Sequence, residues 1–340
     1  MILFMNIDPH KFCVAPMMGY TDLHFRYLLR LISKPPILYT EMVTANAILH
    51  NENKKINKLE HNNEHPLGFQ IGGDNEIQFE ECAKIIESYG YDEININVGC
   101  PSKRAKSGNF GACLFTDPKK VANLSKCLIE NFSKTVSIKT RLGVDNKDSY
   151  EYLVDFISKV SDSGVKIFHL HARKALLTGL NPRKNRSIPA INYDRVYKLK
   201  QDFPHLKIII NGEISNIDKI KEHLTHVDGV MIGREVCNNP FILHEIERSL
   251  DPSIMKINKE YVLQTYFLYI RNNIKYNQKI TDFTKHLAPF FKGKIGSKHT
   301  RAVLCHELNY VSNPLDKLEE LINEEVVWET DGQDLSTRVM

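Results

Sequence analysis

The chain has 340 residues, room for a barrel-sized domain of about 250 residues and a smaller one beside it. Its 42% apolar and 25% charged content is that of a packed globular protein, and no apolar run approaches the ~20 residues needed to cross a bilayer, which excludes a helical membrane protein. A formal charge of +4 is too small to announce a nucleic-acid binder, so where the charges lie matters more than their sum.

The first residues, Met1 to Asn6, lack the basic flank and cleavage site of a signal peptide, and a cytoplasmic location is expected. Eight short β-prone segments follow: Phe12–Pro16, Ile37–Thr40, Leu67–Ile71, Glu93–Asn97, Thr135–Arg141, Val165–His171, Leu206–Asn211 and Asp228–Gly233. Each is succeeded by a longer stretch with helical spacing of apolar residues, such as Glu76–Tyr89 with Ile77, Phe79, Cys82, Ile85 and Ile86 on or near one face. This alternation predicts a parallel sheet, and eight strands predict a closed (β/α)8 TIM barrel in the α/β class. A doubly wound open sheet is the alternative. Against it, no GxGxxG follows the first strand, and polar residues end nearly every strand instead of gathering at one switch point.

After about Leu250 the strand-like alternation stops. Tyr261, Phe267 and Ile270, then Leu287, Phe290 and Phe291, then Val303, Leu304 and Leu308 suggest three or so helices. The expected division is a barrel over 1–248, a helical domain over 249–327 and a polar tail over 328–340.

In a barrel the working residues sit where strands end. Those ends carry Ala15 to Asp22, then Gln70, Asn97 and Cys100, Lys139 and Arg141, His171 and Arg173, Asn211-Gly212-Glu213, and Gly233-Arg234. Loops after the last two strands of many barrels hold a phosphate, and Gly212 and Gly233 with Arg234 beside them suit that role, although either glycine alone could be an ordinary turn residue. Lys139 and Arg141 project to the same side of their strand. A bare buried ammonium is costly, so Lys139 either reaches the barrel mouth or meets an anionic partner such as a reduced flavin ring or a phosphate.

His169 and His171 form an HxH pair that a zinc hydrolase would also present. Metal barrels need a carboxylate or further histidines at neighbouring strand ends, whereas these ends offer lysine, arginine, amide and thiol groups, so no metal is expected, and a satisfied core histidine is the plainer reading of His169. The seven cysteines are odd in number and show no CxxC spacing, which suggests reduced thiols. Among them Cys100 follows a strand directly, between Gly99 and Pro101, and its thiol is expected at the mouth. A free thiol, mostly protonated at neutral pH, suits a general acid. Three stretches, 102–116, 172–193 and 283–306, are basic and free of Asp and Glu, which suggests one extended anionic partner.

Four segments carry a family resemblance: Ala15-Pro16-Met17-Met18-Gly19-Tyr20-Thr21-Asp22, Asn97-Val98-Gly99-Cys100-Pro101-Ser102, Ser107-Gly108-Asn109-Phe110-Gly111-Ala112-Cys113-Leu114, and His171-Ala172-Arg173-Lys174-Ala175. They resemble the tRNA-dihydrouridine synthases, most closely subfamily A, over nearly the whole chain. The resemblance implies reduction of D-loop uridine to 5,6-dihydrouridine in tRNA, around positions 20 and 20a. It implies an FMN prosthetic group re-reduced by NADPH, hydride passing from reduced FMN to C6 and a proton from Cys100 to C5. It further implies Pro16, Met17 and Met18 under the flavin, Gln70, Lys139 and His171 around its ring and ribityl chain, and Asn211, Gly212, Glu213, Gly233 and Arg234 at its phosphate. Asn97 would face a uracil turned out of the tRNA, and Arg183, Arg186, Lys298 and Arg301 would orient the nucleic acid. Two residues depart from the pattern. Glu213 stands where subfamily A tends to have glycine, so its side chain must turn away from a phosphate, and Asn109 stands where an arginine is common. A monomer is expected. The other readings are a flavin barrel reducing a free pyrimidine or small enone, a metal-dependent hydrolase, and a non-catalytic RNA binder.

Overall fold

A computed structural model of the chain describes residues 7–50, 59–275, 278–293 and 296–324; the tail expected over 328–340 lies outside them. All eight predicted strands are present: β1 (Phe12–Val14), β2 (Ile37–Tyr39), β3 (Leu67–Gly72), β4 (Glu93–Val98), β5 (Thr135–Arg141), β6 (Ile167–His171), β7 (Lys207–Asn211) and β8 (Gly229–Ile232). They pair in parallel in the order β2-β1-β8-β7-β6-β5-β4-β3, and β2 also pairs with β3, so the sheet closes on itself. A two-residue strand, Val43–Thr44, adds to the edge of β3 at Ile71–Gly72. The fold is a (β/α)8 barrel.

Parallel strands covered on both faces should read as apolar runs, and Ile208, Ile209 and Ile210 of β7 are fully buried. The barrel interior is divided. Cys13, Ala15, Ile37, Tyr39, Ile209 and Met231, from β1, β2, β7 and β8 or their ends, form one apolar cluster with Met17 and Ile167 packed against it. The β3–β6 arc contributes polar side chains instead. Register places Asn95 beside Ser137 and Asn97 beside Lys139 across β4 and β5, then Lys139 beside His169 and Arg141 beside His171 across β5 and β6.

Between strands, helices start where side chains cap them. Asn75 accepts from the Gln78 N–H at the start of Glu76–Ser88, Asp117 from Lys120 before Pro118–Asn131, and Ser149 from Tyr152 before Tyr150–Ser161. Each helix turns a buried stripe inward, such as Phe79, Cys82, Ala83 and Ile86.

Two compact units divide the chain, residues 1–23 with 35–236 and residues 24–34 with 237–340. The second unit takes in most of a helix from near the N-terminus. Inside that unit the helix Leu23–Ile32 stacks His24 on Phe283 at 3.7 Å and Tyr27 on Tyr269 at 3.9 Å, and Ser33 donates to Glu247 at 2.6 Å. Helices Ile242–Leu250, Lys259–Asn273 and Ser297–Cys305, shorter turns and a last helix over 314–324 complete it. No helix of the described residues is long and apolar enough to cross a membrane.

Candidate active site at the barrel mouth

The site begins on β4. Alternation turns Glu93, Asn95 and Asn97 to the barrel interior, and the chain then leaves the strand in a tight turn. Asn97 makes that turn. Its carboxamide oxygen accepts the N–H groups of Gly99 at 3.1 Å and Cys100 at 3.0 Å, while its nitrogen donates to Gln70 Oε1 at 2.8 Å. Gln70 is itself held by Asn95 at 2.7 Å. Cys100 is therefore fixed by a chain of buried amides, and its Sγ donates to Ser102 Oγ at 3.3 Å. Gly111 secures the turn from the other side: its φ is +72°, and a Cβ there would lie 2.6 Å from the Cys100 carbonyl oxygen.

On β5, Lys139 is partly buried and donates to Asn211 Oδ1 at 3.2 Å. Burial, and after it the Arg141 guanidinium, pulls its ammonium down to about 8. Among the described residues it has no carboxylate partner. Arg141 is buried and joins two loops, donating to Gly99 O at 3.3 Å and Asn185 O at 3.0 Å. Burial first, and then the cations Arg141, Lys139, Arg173 and Arg234, hold His171 well below its ordinary range, so the ring is neutral at pH 7.

Beside it, β7 ends in Asn211, which donates to Met231 O at 2.7 Å, and Gly212 at φ +129°. A Cβ on Gly212 would lie 3.1 Å from both His171 Cδ2 and Ile191 Cδ1, so only glycine leaves this surface open. Glu213, at φ +51°, turns its carboxylate onto the Arg173 guanidinium. Gly233 lies near Met17, whose Sδ would be 3.7 Å from a Cβ there. Pro16 and Met17 are partly buried; Met18 and Arg234 are exposed.

Arg183 and Arg186 are exposed in the 3-10 turn region after β6, and buried Asn185 between them stitches the loop through Leu176 N at 2.8 Å and Leu176 O at 2.9 Å. The loops that carry Tyr20, Arg183, Arg186 and Arg234 all leave the same end of the parallel barrel, and burial, then the Arg234 guanidinium, lowers the Arg186 guanidinium from its ordinary value. Lys298 and Arg301 are exposed three residues apart on the helix Ser297–Cys305 of the second unit, on one face.

Sequence reasoning missed the clamping roles of Arg141 and Asn185. The inward alternation of β5 pointed to Arg141, but its acceptors lie in distant loops. His169 is a fully buried, hydrogen-bonded core histidine, but the partners that satisfy it lie on distant strands. His10, Glu93 and His169 offer ligand atoms within 4.8 Å of one another. His10 Nε2 bonds Glu93 Oε2 at 2.6 Å, Tyr39 donates to Glu93 Oε1 at 2.6 Å, and His169 Nε2 donates to Tyr39 at 2.9 Å. Burial opposes charge on His10, but the Asp8 and Glu93 carboxylates overcome it and raise the ring to about 9. The protonated His10 ring and the Glu93 carboxylate form a buried ion pair. His169, pulled to about 4 by burial, is neutral beside them.

Comparison with known proteins fits this geometry. An old yellow enzyme homologue from Zymomonas mobilis superposes with a TM-score of 0.51 at 8% identity, covering 74% of this chain and 91% of that one, a likeness of fold. Residues 13–327 match the family described as dihydrouridine synthase. Proteins named tRNA-dihydrouridine(20/20a) synthase are 42% identical in Escherichia coli, over 92% of this chain and 95% of that protein, and 42% identical in Shewanella oneidensis, over 88% and 89%. Fold and family together define a flavin-dependent (β/α)8-barrel oxidoreductase acting on a CH–CH bond. The chain belongs to the dihydrouridine synthase family.

Proposed function

We propose that this enzyme reduces uridine to 5,6-dihydrouridine in the D-loop of tRNA, at positions 20 and 20a, with FMN as its prosthetic group and NADPH as reductant. The relatives' names support the substrate and its positions. The observation that carries the chemistry is that one barrel mouth combines a turn-fixed thiol, Cys100, with a cation, Lys139, lacking any carboxylate among the described residues.

The residues present fit FMN. Lys139 supplies positive charge for an electron-rich ring, neutral His171 and Gln70 supply hydrogen-bonding edges, and Pro16, Met17 and Met18 supply an apolar floor. Gly212 leaves open the surface that a Cβ would close, and Arg173 Nε is a buried donor with no acceptor among the described residues, next to the Asn211–Glu213 turn. The backbone at Asn211, Gly212, Glu213 and Gly233, with Arg234, would hold the phosphate. When bound, FMN supplies the hydride for C6 of the uracil ring, and NADPH restores it.

The chain's own contribution is placement and a proton. Asn97 holds the Cys100 backbone so that the thiol proton is delivered to C5, and the Ser102 hydroxyl, already bonded to Sγ, is the neighbour through which solvent returns it. The uracil must leave the tRNA fold to reach this depth. Arg183 and Arg186 at the rim, and Lys298 and Arg301 on their helix, bind the phosphate backbone. All these groups lie on one chain, and the reading takes the enzyme as a monomer acting in the cytoplasm. Measuring dihydrouridine in tRNA from a strain lacking the gene tests the reading: loss at D-loop positions 20 and 20a supports it, and unchanged content contradicts it.

A further inference from the structure

The turn after β1 presents an aromatic ring that the reaction above does not use. Met17 N donates to Thr21 Oγ1 at 2.9 Å, and the N–H groups of Tyr20 and Thr21 both donate to Met17 O at 3.0 Å. Gly19 N donates to the Glu41 carboxylate, Glu41 is 8% exposed and Thr21 is wholly buried. On this tied backbone Tyr20 is 54% exposed and Met18 51%. Isolated exposed apolar side chains are ordinary. An exposed ring on a hydrogen-bonded turn, at the same barrel end as the loops that carry Arg183, Arg186 and Arg234, is a surface suited to something flat and anionic.

We infer that Tyr20 is a stacking platform for the nucleobase next to the target uridine in the polynucleotide chain. The inference rests on the function proposed above and extends it to the substrate's neighbouring residue. Depth selects that base over the target itself. Asn97 is 8% exposed and Cys100 partly buried, so a uracil that reaches the thiol lies below the rim. The next nucleotide is then left at the level of Tyr20. An aromatic face stacks any base, and guanidinium groups beside it take the flanking phosphates, the combination found where proteins grip single-stranded nucleic acid. The tied turn makes the grip inexpensive, because the ring's backbone has no freedom left to lose.

The test uses the FMN-loaded enzyme, NADPH and an unmodified tRNA transcript. Tyr20→Ala is expected to lower kcat/KM for the transcript roughly tenfold or more, the factor one aromatic–base stack carries. Flavin content and the rate of flavin reduction by NADPH stay at wild-type level, and Tyr20→Phe and Tyr20→Trp retain activity. Of two transcripts lacking the base on the 5′ or 3′ side of the target, one lowers wild-type kcat/KM by the same factor, and on it Tyr20→Ala adds no further loss. Full activity of Tyr20→Ala overturns the inference, as does an equal loss on both abasic transcripts. A loss confined to flavin reduction also overturns it and makes Tyr20 a nicotinamide contact. Wild-type enzyme that reduces no uridine in the intact transcript refutes the underlying function itself.

Discussion

Asn97 accepts the backbone N–H of Cys100 at 3.0 Å through the carboxamide whose nitrogen is held by Gln70. The side chain expected to face the uracil is thus committed on its oxygen to the turn that carries the thiol, and one amide hydrogen is left for a substrate.

Asn97→Ala should therefore behave as a positioning mutation. A displacement of about 1 Å at a reacting group can cost ~100-fold, so kcat falls by roughly that factor while KM for tRNA and flavin content change little. Asn97→Asp keeps the acceptor and should recover part of the loss. Steady-state kinetics on both variants check this; a change in KM alone would make Asn97 a binding residue instead.

Lys139 ties cofactor affinity to pH. Its ammonium, brought to about 8 by burial and Arg141, is charged below that value and neutral above it. Binding of an electron-rich flavin favours the charged form, so FMN affinity is steady below pH 8 and weakens about tenfold per unit above it. Lys139→Met should bind weakly with a flat profile across the same range. Fluorescence titration of the flavin-free protein reads both curves.

The His10–Glu93 pair sets a stability window. His10 is raised to about 9 in the folded state, so its contribution is complete below pH 6.5 and is lost as pH climbs through 9. Glu93 is opposed by burial but held well below the carboxylate range by His10 and His169, so its contribution is present at neutral pH and lost only in acid. The His10 share is on the order of 3 kcal/mol at most. His10→Gln should lower Tm clearly at pH 6.5, and its gap to wild type should narrow by pH 9.5. A gap that stays constant would mean the imidazole does not titrate with folding.

Glu213 combines a left-handed backbone with an ion pair to buried Arg173. A left-handed φ costs a side-chain-bearing residue about 1–2 kcal/mol that glycine escapes. Glu213→Gly loses the pair and the strain together and should stay near wild-type stability; Glu213→Ala keeps the strain and loses the pair. Thermal unfolding should rank Glu213→Ala lowest of the three.

The fold was legible because parallel strands announce themselves: Ile208 to Ile210 and Ile94 to Ile96 are apolar or alternating runs of strand length between helical stretches. Lys139 and Arg141 could be put on one face from alternation alone, and Cys100 at a mouth from the turn residues around it. The engagement of Asn97 was not legible, because alternation says which way a side chain points and not whether a neighbouring N–H has already claimed it. Arg141 was hidden for a related reason, since Asn185, its acceptor, is 44 positions away. The grouping of helix Leu23–Ile32 with the second unit rests on His24 and Tyr27 meeting Phe283 and Tyr269, pairings that no local pattern encodes.

The central claim is that one mouth delivers a proton from Cys100 to a tRNA uracil. The direct measurement is position-by-position mapping of dihydrouridine in an unmodified transcript after incubation with FMN, NADPH and either wild-type enzyme or Cys100→Ala. Wild type should place dihydrouridine at positions 20 and 20a, and Cys100→Ala should keep its flavin and its tRNA binding yet lose nearly all product. Equal product from the two enzymes would contradict the account.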